Sequence, residues 1–418
     1  MELPQNDPAL DAFDRLRVRE VSAEYGDIAP AVLAEFQSIA ASLEPDERIK
    51  IDVAYMRGDA ELLKAVLADP QANKICALQW EYGGKEDVNS IIPLLINNCP
   101  ELASLSVCFE YHSEFDFVSS VLEHPNNKLK ELDLPVYPEE NLARLFAALK
   151  QSQVSALALC YSPEFAQGFC DYLARGVLVR FEIAMHGKQV PSEMMMSLAK
   201  CTRLAKLKIS HCEFSQPTTF THLPKSITEL ELSHCTFVDG VDWSFLADSN
   251  VQELDFYDVK GVDGNRLGGA LAVHLRAKGM DMLRLFNCDF VDEILAIVGL
   301  EVGRIKKLDI YGHLNDASIE LIALALQAPN NEMKKLRLTY NDMASSIETY
   351  LVPALRHPNC NLAKLGLPTY GGSAKTIQVF RKRRALFALL QGQQVKRRYC
   401  PLRRLPVEMF RLVGKALI

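Results

Sequence analysis

Two dipeptides, His211-Cys212 and His234-Cys235, set an imidazole beside a thiol. These are the residue types that hold zinc or make an activated sulfur nucleophile. The rest of such a site is missing, because no C-x-x-C pair and no His-Glu-x-x-His occurs in the 418 residues. The stretch Gly261-Val262-Asp263-Gly264-Asn265-Arg266-Leu267-Gly268-Gly269 is rich in glycine but lacks the Gly-Lys-Ser/Thr that would hold phosphate and magnesium. It reads as a turn opening a helix. With no nucleophile elbow or kinase motif set either, the sequence assigns no catalytic residue, no metal ligand and no cofactor. Recognition of a partner is the remaining chemistry, and it needs elements that can present a surface.

Those elements repeat. An apolar residue, two variable residues, a Leu-like residue, one variable residue and a second apolar residue recur twelve times. The first occurrence is Ile75-Cys76-Ala77-Leu78-Gln79-Trp80 and the last is Leu362-Ala363-Lys364-Leu365-Gly366-Leu367. The central residues are Leu78, Leu105, Leu132, Leu157, Phe181, Leu207, Leu230, Leu254, Leu283, Leu308, Leu336 and Leu365, spaced 23 to 29 residues apart. That period is the leucine-rich-repeat period. Each unit makes a short strand with its apolar residues inward, a turn, and a return segment with its own apolar face. No unit buries its face alone, so neighbours must stack. The expected fold is an α/β leucine-rich-repeat solenoid, a horseshoe of about twelve repeats with a parallel concave sheet, a mostly helical convex side and helical caps. Residues 138–151 place Leu142, Leu145, Phe146 and Leu149 on one helical face, and 315–328 do the same with Ile319, Ile322, Ala323 and Leu326. Pro138, Pro163 and Pro191 sit where a first helical turn would begin. The returns 215–225 and 239–249 are too short for a full helix.

Five residues after the central Leu stand Cys212, Cys235 and Cys288, with Asn341 at that position in the eleventh repeat. With these residues the repeats resemble the ribonuclease-inhibitor-like, cysteine-containing class of leucine-rich repeat, over roughly residues 58 to 370. The resemblance implies that Cys212, Cys235, Cys288 and Asn341 turn inward as a structural ladder and satisfy backbone groups of the loops between stacked coils. Gly83, Glu110, Tyr137 and Val259 occupy the ladder position elsewhere and depart from the pattern. The segment Leu355-Arg356-His357-Pro358-Asn359-Cys360-Asn361-Leu362 resembles the helix-to-strand connection of cytosolic innate-immune receptors that carry such repeats. His124-Pro125-Asn126-Asn127 and Ala328-Pro329-Asn330-Asn331 repeat its logic.

The variable strand residues point out of the concave sheet, where stacking brings equivalent positions of adjacent repeats about 5 Å apart. One position beyond the last apolar strand residue gives Tyr257, Phe286 and Tyr311, an aromatic row. Between the last two apolar residues stand Glu231, Asp255, Arg284, Asp309 and Arg337, an alternating charged row. Aromatics flanked by arginine and acids have the composition of binding hot spots. The same residues would also serve to cover the sheet, the rings stacking and the charges pairing among themselves. Nucleic acid is not expected on this face, since phosphate contacts need clustered Lys and Arg and the body of the chain is acidic.

The formal charge of −7 is unevenly placed. From Lys375 to the end there are twelve Lys/Arg against Glu408 alone. This basic segment, 371–418, could rest on the acidic body as a cap or bind an anion. Within it Leu405-Pro406-x-Glu408-Met409, with Leu412 and Val413, resembles the first helix of F-box-like segments. That resemblance implies docking of a ubiquitin-ligase adaptor on Leu405, Pro406, Met409 and Leu412. A proline-led amphipathic capping helix gives the same string. Residues 1–57 do not match the repeat, carry helical patterns over 10–25 and 31–43, and read as a helical N-terminal cap. With 49% hydrophobic residues and no apolar run long enough for a bilayer, disorder and membrane spans are excluded from expectation. The first residues lack the features of a secretory signal. Eleven scattered cysteines point to a reducing compartment, hence the cytoplasm, or the host cytoplasm for a delivered pathogen effector. The expected function is a non-catalytic scaffold that recognises a protein partner.

Overall fold

In the computed structural model the described residues are 17–22, 29–44, 47–53, 60–82, 90–109, 114–134, 142–160, 166–215, 220, 223–238, 241–339 and 347–367. The chain divides into two compact units, Met1–Ser215 with His222–Ile227, and Gln216–Thr221 with Thr228–Ile418. The first contributes β1 (Arg17–Ser22), β2 (Glu47–Val53), β3 (Ile75–Tyr82), β4 (Ser104–Phe109), β5 (Glu131–Leu134), β6 (Ala156–Cys160), β7 (Arg180–Gln189) and β8 (Lys206–Phe214). The second contributes β9 (Glu229–Ser233), β10 (Thr236–Phe237), β11 (Glu253–Tyr257), β12 (Met280–Phe286), β13 (Ile305–Tyr311), β14 (Lys335–Thr339) and β15 (Lys364–Gly366).

Apart from β10, which lies off the path, pairing is parallel within each unit and runs in chain order, the central residues side by side. In the first unit Val21, Ile51, Leu78, Leu105, Leu132, Leu157, Phe181 and Leu207 form one row. In the second the row is Leu230, Leu254, Leu283, Leu308, Leu336 and Leu365. The central residues from Leu78 to Leu336 are at most 2% exposed. Burial of each such leucine is worth about 1.5–3 kcal/mol, so the row largely holds the stack together. The architecture is an α/β leucine-rich-repeat fold in which each unit is a run of stacked repeats.

The returns follow their sequences. Leu142–Gln151 buries Leu145, Phe146 and Leu149. The helix Asp316–Gln327 buries Ile319, Ile322, Ala323 and Leu326, and its N-cap Asn315 accepts from the Ser318 amide at 2.8 Å. Pro191 is the residue that caps Ser192–Leu198, whereas Pro138 and Pro163 lie outside the described residues. In the short return after β10 the helix is a single turn, Phe245–Asp248. Aromatic side chains fill the space a longer helix would occupy: Trp243 lies 5.4 Å from Phe220, 5.5 Å from Phe237 and 5.7 Å from Phe256 between ring centroids. The helix-to-strand turns at Asn127 and Asn331 share one device. Each amide donates back to the helix end, at Leu122 and Leu326, and each side-chain oxygen accepts from the amide two residues on.

One element differs from expectation. Arg17–Ser22, inside the stretch read as helical, is a strand paired in register with β2, which itself pairs with β3. Val18 and Val21 are three apart and suit a helix, but Val21 at 1% exposed occupies the central position of a repeat strand. The second pattern, 31–43, is the helix Ala29–Ala41. Residues 371–418, with Leu405, Pro406, Met409 and Leu412, lie outside the described residues. Among the described residues no helix is long and apolar enough to cross a membrane.

Candidate functional site

The exposed strand face of the second unit is built by alternation. Along β11, β12 and β13 the residues Leu254, Phe256, Leu283, Leu285, Leu308 and Ile310 are buried, which leaves Asp255, Tyr257, Arg284, Phe286, Asp309 and Tyr311 on the other face. Register then sets the rings side by side, Tyr257 against Phe286 and Phe286 against Tyr311. They stack, with centroids 4.4 Å apart and planes 13° apart in the first pair, and 3.9 Å and 9° in the second. Tyr257 is 39% exposed and the other two are half-buried. His234, on the far side of Tyr257, meets that ring edge-on at 5.0 Å.

The charged row is only partly paired. Arg284 Nη1 lies 2.5 Å from Asp255 Oδ2 across β11 and β12. Asp309 is in register with both Arg284 and Arg337. Its bonded cation is instead Lys335, whose Nζ lies 2.8 Å from Oδ2. Arg337 is exposed and has no ion-pair partner among the described residues. Glu231 stands beside Asp255, half-buried, on β9. Lys335 is a residue that the alternating charges conceal. The doubled lysines of Ile305-Lys306-Lys307-Leu308 and Met333-Lys334-Lys335-Leu336 are its only sequence signal.

Left-handed residues recur at one position of successive repeats: His211 within β8, and His234, Asp258 and Asn287 just after β9, β11 and β12, have φ of 52, 53, 51 and 53°. Histidine, aspartate and asparagine tolerate that region better than most side chains. In the second unit they also join: His234 Nδ1 lies 3.0 Å from Asp258 Oδ2, and Asn287 Nδ2 donates to Asp258 Oδ1 at 2.8 Å. This polar rim beside the rings was not found from sequence, although the column of His, Asp and Asn after the aromatic column marks it.

The reversed residue turns the next side chain inward. Cys235 Sγ donates to Ser233 O at 3.3 Å, and Cys288 Sγ lies 3.4 Å from Phe286 O and 3.7 Å from Phe256 O. Cys212 is likewise buried. Asn341 lies outside the described residues. In both His-Cys dipeptides the imidazole is exposed and the thiol buried, so the two side chains do not converge on one ion. Among the described residues there is no group of three or more His, Cys, Asp or Glu placed to hold a metal.

The ten described cysteines are all thiols. Burial pushes Cys288 up to about 12 and Cys160 up to about 11. Cys160 Sγ is 3.4 Å from His186 Nε2, a nucleophile–base geometry, but a thiol held that far above neutrality is protonated. The glycine-rich stretch has a structural role. Gly261 has φ of +73°, and a Cβ there would lie 2.1 Å from Phe237 O. Asp263 then caps Gly264–Lys278 by accepting from the amides of Asn265 and Arg266. What this face offers is a stacked aromatic strip, a paired and an unpaired arginine, and a polar rim.

No family model and no curated protein matches the sequence. Among solved structures, an internalin, InlF, from Listeria monocytogenes is similar at 11% identity and a TM-score of 0.42, over 83% of this chain and 96% of that one. The Toll receptor of Drosophila, solved in complex with Spätzle, is similar at 13% identity and 0.37, over 87% of this chain and 52% of its own. The plant peptide hormone receptor RGFR1, solved with RGF2, stands at 12% and 0.35, over 78% and 55%.

Proposed function

We propose that this chain is a non-catalytic protein-recognition scaffold and that a protein partner docks on the exposed strand face of β11, β12 and β13. The observation that carries the reading is the stacked Tyr257–Phe286–Tyr311 strip beside the Asp255–Arg284 pair. Three rings locked against one another are already ordered. A partner that covers them loses little of their conformational entropy on binding, which is the condition for a hot spot. Asp255, Arg284, Asp309, Arg337 and Glu231 set register and orientation around the strip. Cys212, Cys235, Cys288 and Asn341 serve the stack itself. The strands β1 and β2 carry the repeat row back from residue 58 to Arg17, and the segment 371–418 acts as a terminal cap. Eleven cysteines scattered along the chain with no C-x-x-C pair support a reducing compartment such as the cytoplasm.

Affinity capture with the intact chain and with a Tyr257→Ala/Phe286→Ala/Tyr311→Ala variant, side by side, tests the reading. Proteins retained by the first and lost by the second, with circular dichroism unchanged, support it. Identical sets of bound proteins overturn it.

A further inference from the structure

The strand face of the second unit is electrically polarised along the order of its strands. On β9, β11 and β12 the outward positions flanking the central residue are Glu229, Glu231, Glu253, Asp255, Met282 and Arg284. On β13, β14 and β15 they are Lys307, Asp309, Lys335, Arg337, Lys364 and Gly366. Four acids and one cation therefore give way, across the aromatic strip, to four cations and one acid. The two ends also differ in how far they are satisfied. Glu229, Glu231, Glu253 and Asp255 each already take part in an interaction with a neighbour. At the other end only Lys335 is engaged, by Asp309. Lys307, Arg337 and Lys364 are exposed and have no ion-pair partner among the described residues.

Register sets these cations close together. Lys307 pairs with Lys335, and Lys335 with Lys364, at the ordinary strand spacing of about 4.8 Å. Like charges so placed repel one another unless something anionic covers them. Gly366 adds to the opening. It stands in register with Arg337 as the one outward position of β15 without a side chain, and a Cβ there would lie 3.1 Å from Arg337 Cγ.

We infer that this cationic end is a subsite for an acidic peptide segment of the partner, an inference that rests on the reading of the aromatic strip as a docking surface. Charge complementarity selects the occupant. The chain's own segment from Lys375 onward carries twelve Lys/Arg against one Glu and would be repelled. A second copy would have to offer its acidic end, where Arg284 already holds Asp255. A nucleic acid would lay a continuous phosphate backbone across Asp309, and its bases would find the ring faces already stacked on each other. Geometry sets the motif. From Phe286 on β12 to Arg337 on β14 is two strand spacings across and two residues along the strand, about 12 Å, which an extended peptide covers in about three to four residues. The matching segment has an aromatic or large apolar residue about three positions from a pair of Asp or Glu.

The test uses the full chain and fluorescein-labelled synthetic peptides with one Tyr or Leu three positions from an Asp-Glu pair, in both orders. Lysine-substituted versions and a single-stranded oligonucleotide serve as controls, and binding is read by fluorescence anisotropy. The acidic peptides are expected to bind and the lysine versions not to. Lys307→Glu/Arg337→Glu, both on exposed side chains, is expected to weaken binding roughly tenfold or more. Raising salt from about 50 to about 300 mM is expected to weaken binding severalfold. Equal binding of acidic and basic peptides, indifference to the double reversal, or tighter binding of the oligonucleotide would overturn the inference. So would a self-association, seen by sedimentation, that the reversal abolishes. Titrating a captured partner onto the same variants separates the two claims. Loss on ring removal but not on charge reversal discards the cationic subsite and leaves the docking strip standing. Loss on charge reversal but not on ring removal discards the strip.

Discussion

Phe286 and Tyr311 lie ring on ring, 3.9 Å between centroids and 9° between planes, because they occupy the same position of adjacent parallel strands. The strand spacing of about 4.8 Å leaves two neighbouring rings little alternative to stacking. Tyr257 continues the stack from the other side, so Phe286 is covered on both faces. The strip is a product of repeat register, formed before any partner arrives.

Removing the middle ring therefore separates surface order from core stability. Phe286→Ala is expected to cost about 0.5–1.5 kcal/mol, the worth of aromatic pairing beyond area. Leu283→Ala, three residues earlier and 1% exposed, is expected to cost about 2–5 kcal/mol. Urea denaturation of both variants checks the ranking. A Phe286 variant as unstable as the Leu283 one would place that ring in the core.

Two glycines of one stretch should respond with opposite sign. At Gly261 the backbone is left-handed and an added methyl group runs into the Phe237 carbonyl, so Gly261→Ala is expected to destabilise by more than about 1 kcal/mol. Gly269, within Gly264–Lys278, has nothing within 4 Å of its added Cβ. Gly269→Ala is expected to stabilise by up to about 1 kcal/mol through helix propensity. Thermal melts of the pair decide it, and a stabilising Gly261→Ala would contradict the turn geometry.

Acid should weaken the second unit through His274. Its Nδ1 is 2.9 Å from Leu246 O, its Nε2 is buried, and burial holds its pKa below the usual imidazole range. The neutral ring is the folded form. Its contribution to stability is complete above the unfolded value of about 6.5 and is lost as pH falls from there toward the lower folded value. His274→Gln is expected to flatten the fall in unfolding free energy between about pH 7.5 and pH 5.5. An unchanged slope would assign that fall to other groups.

Burial pushes Cys76 up to about 11 and Cys99 and Cys288 up to about 12. At pH 8 these thiols carry almost no thiolate, so iodoacetamide should spare them in the native chain and modify them in denaturant. Peptide mapping by mass spectrometry reads each site. Rapid native labelling of Cys288 would contradict its inward placement.

The central row from Leu78 to Leu365 and the aromatic column were legible because alternation forces the same residue type to the same face in every repeat. Val21 and Ile51 belong to that row but escaped, since neither is leucine and Arg48 stands where the first apolar residue of the β2 pattern would be. The His234–Asp258–Asn287 rim was hidden for a different reason. Its common property is a positive φ, which selects three unlike side chains and shows as a column only after the strands are aligned. Asp309 is the instructive case among the charges. Alternation along the row paired it with arginine, yet a lysine one strand over, two positions before Arg337, has the reach to take it.

The most direct measurement is a calorimetric titration of a purified captured partner onto the intact chain and onto the Tyr257→Ala/Phe286→Ala/Tyr311→Ala variant. The account predicts a loss of about 2 kcal/mol or more, roughly thirtyfold in Kd, with the variant's fold intact. Equal affinities would contradict it and move the binding surface off these strands.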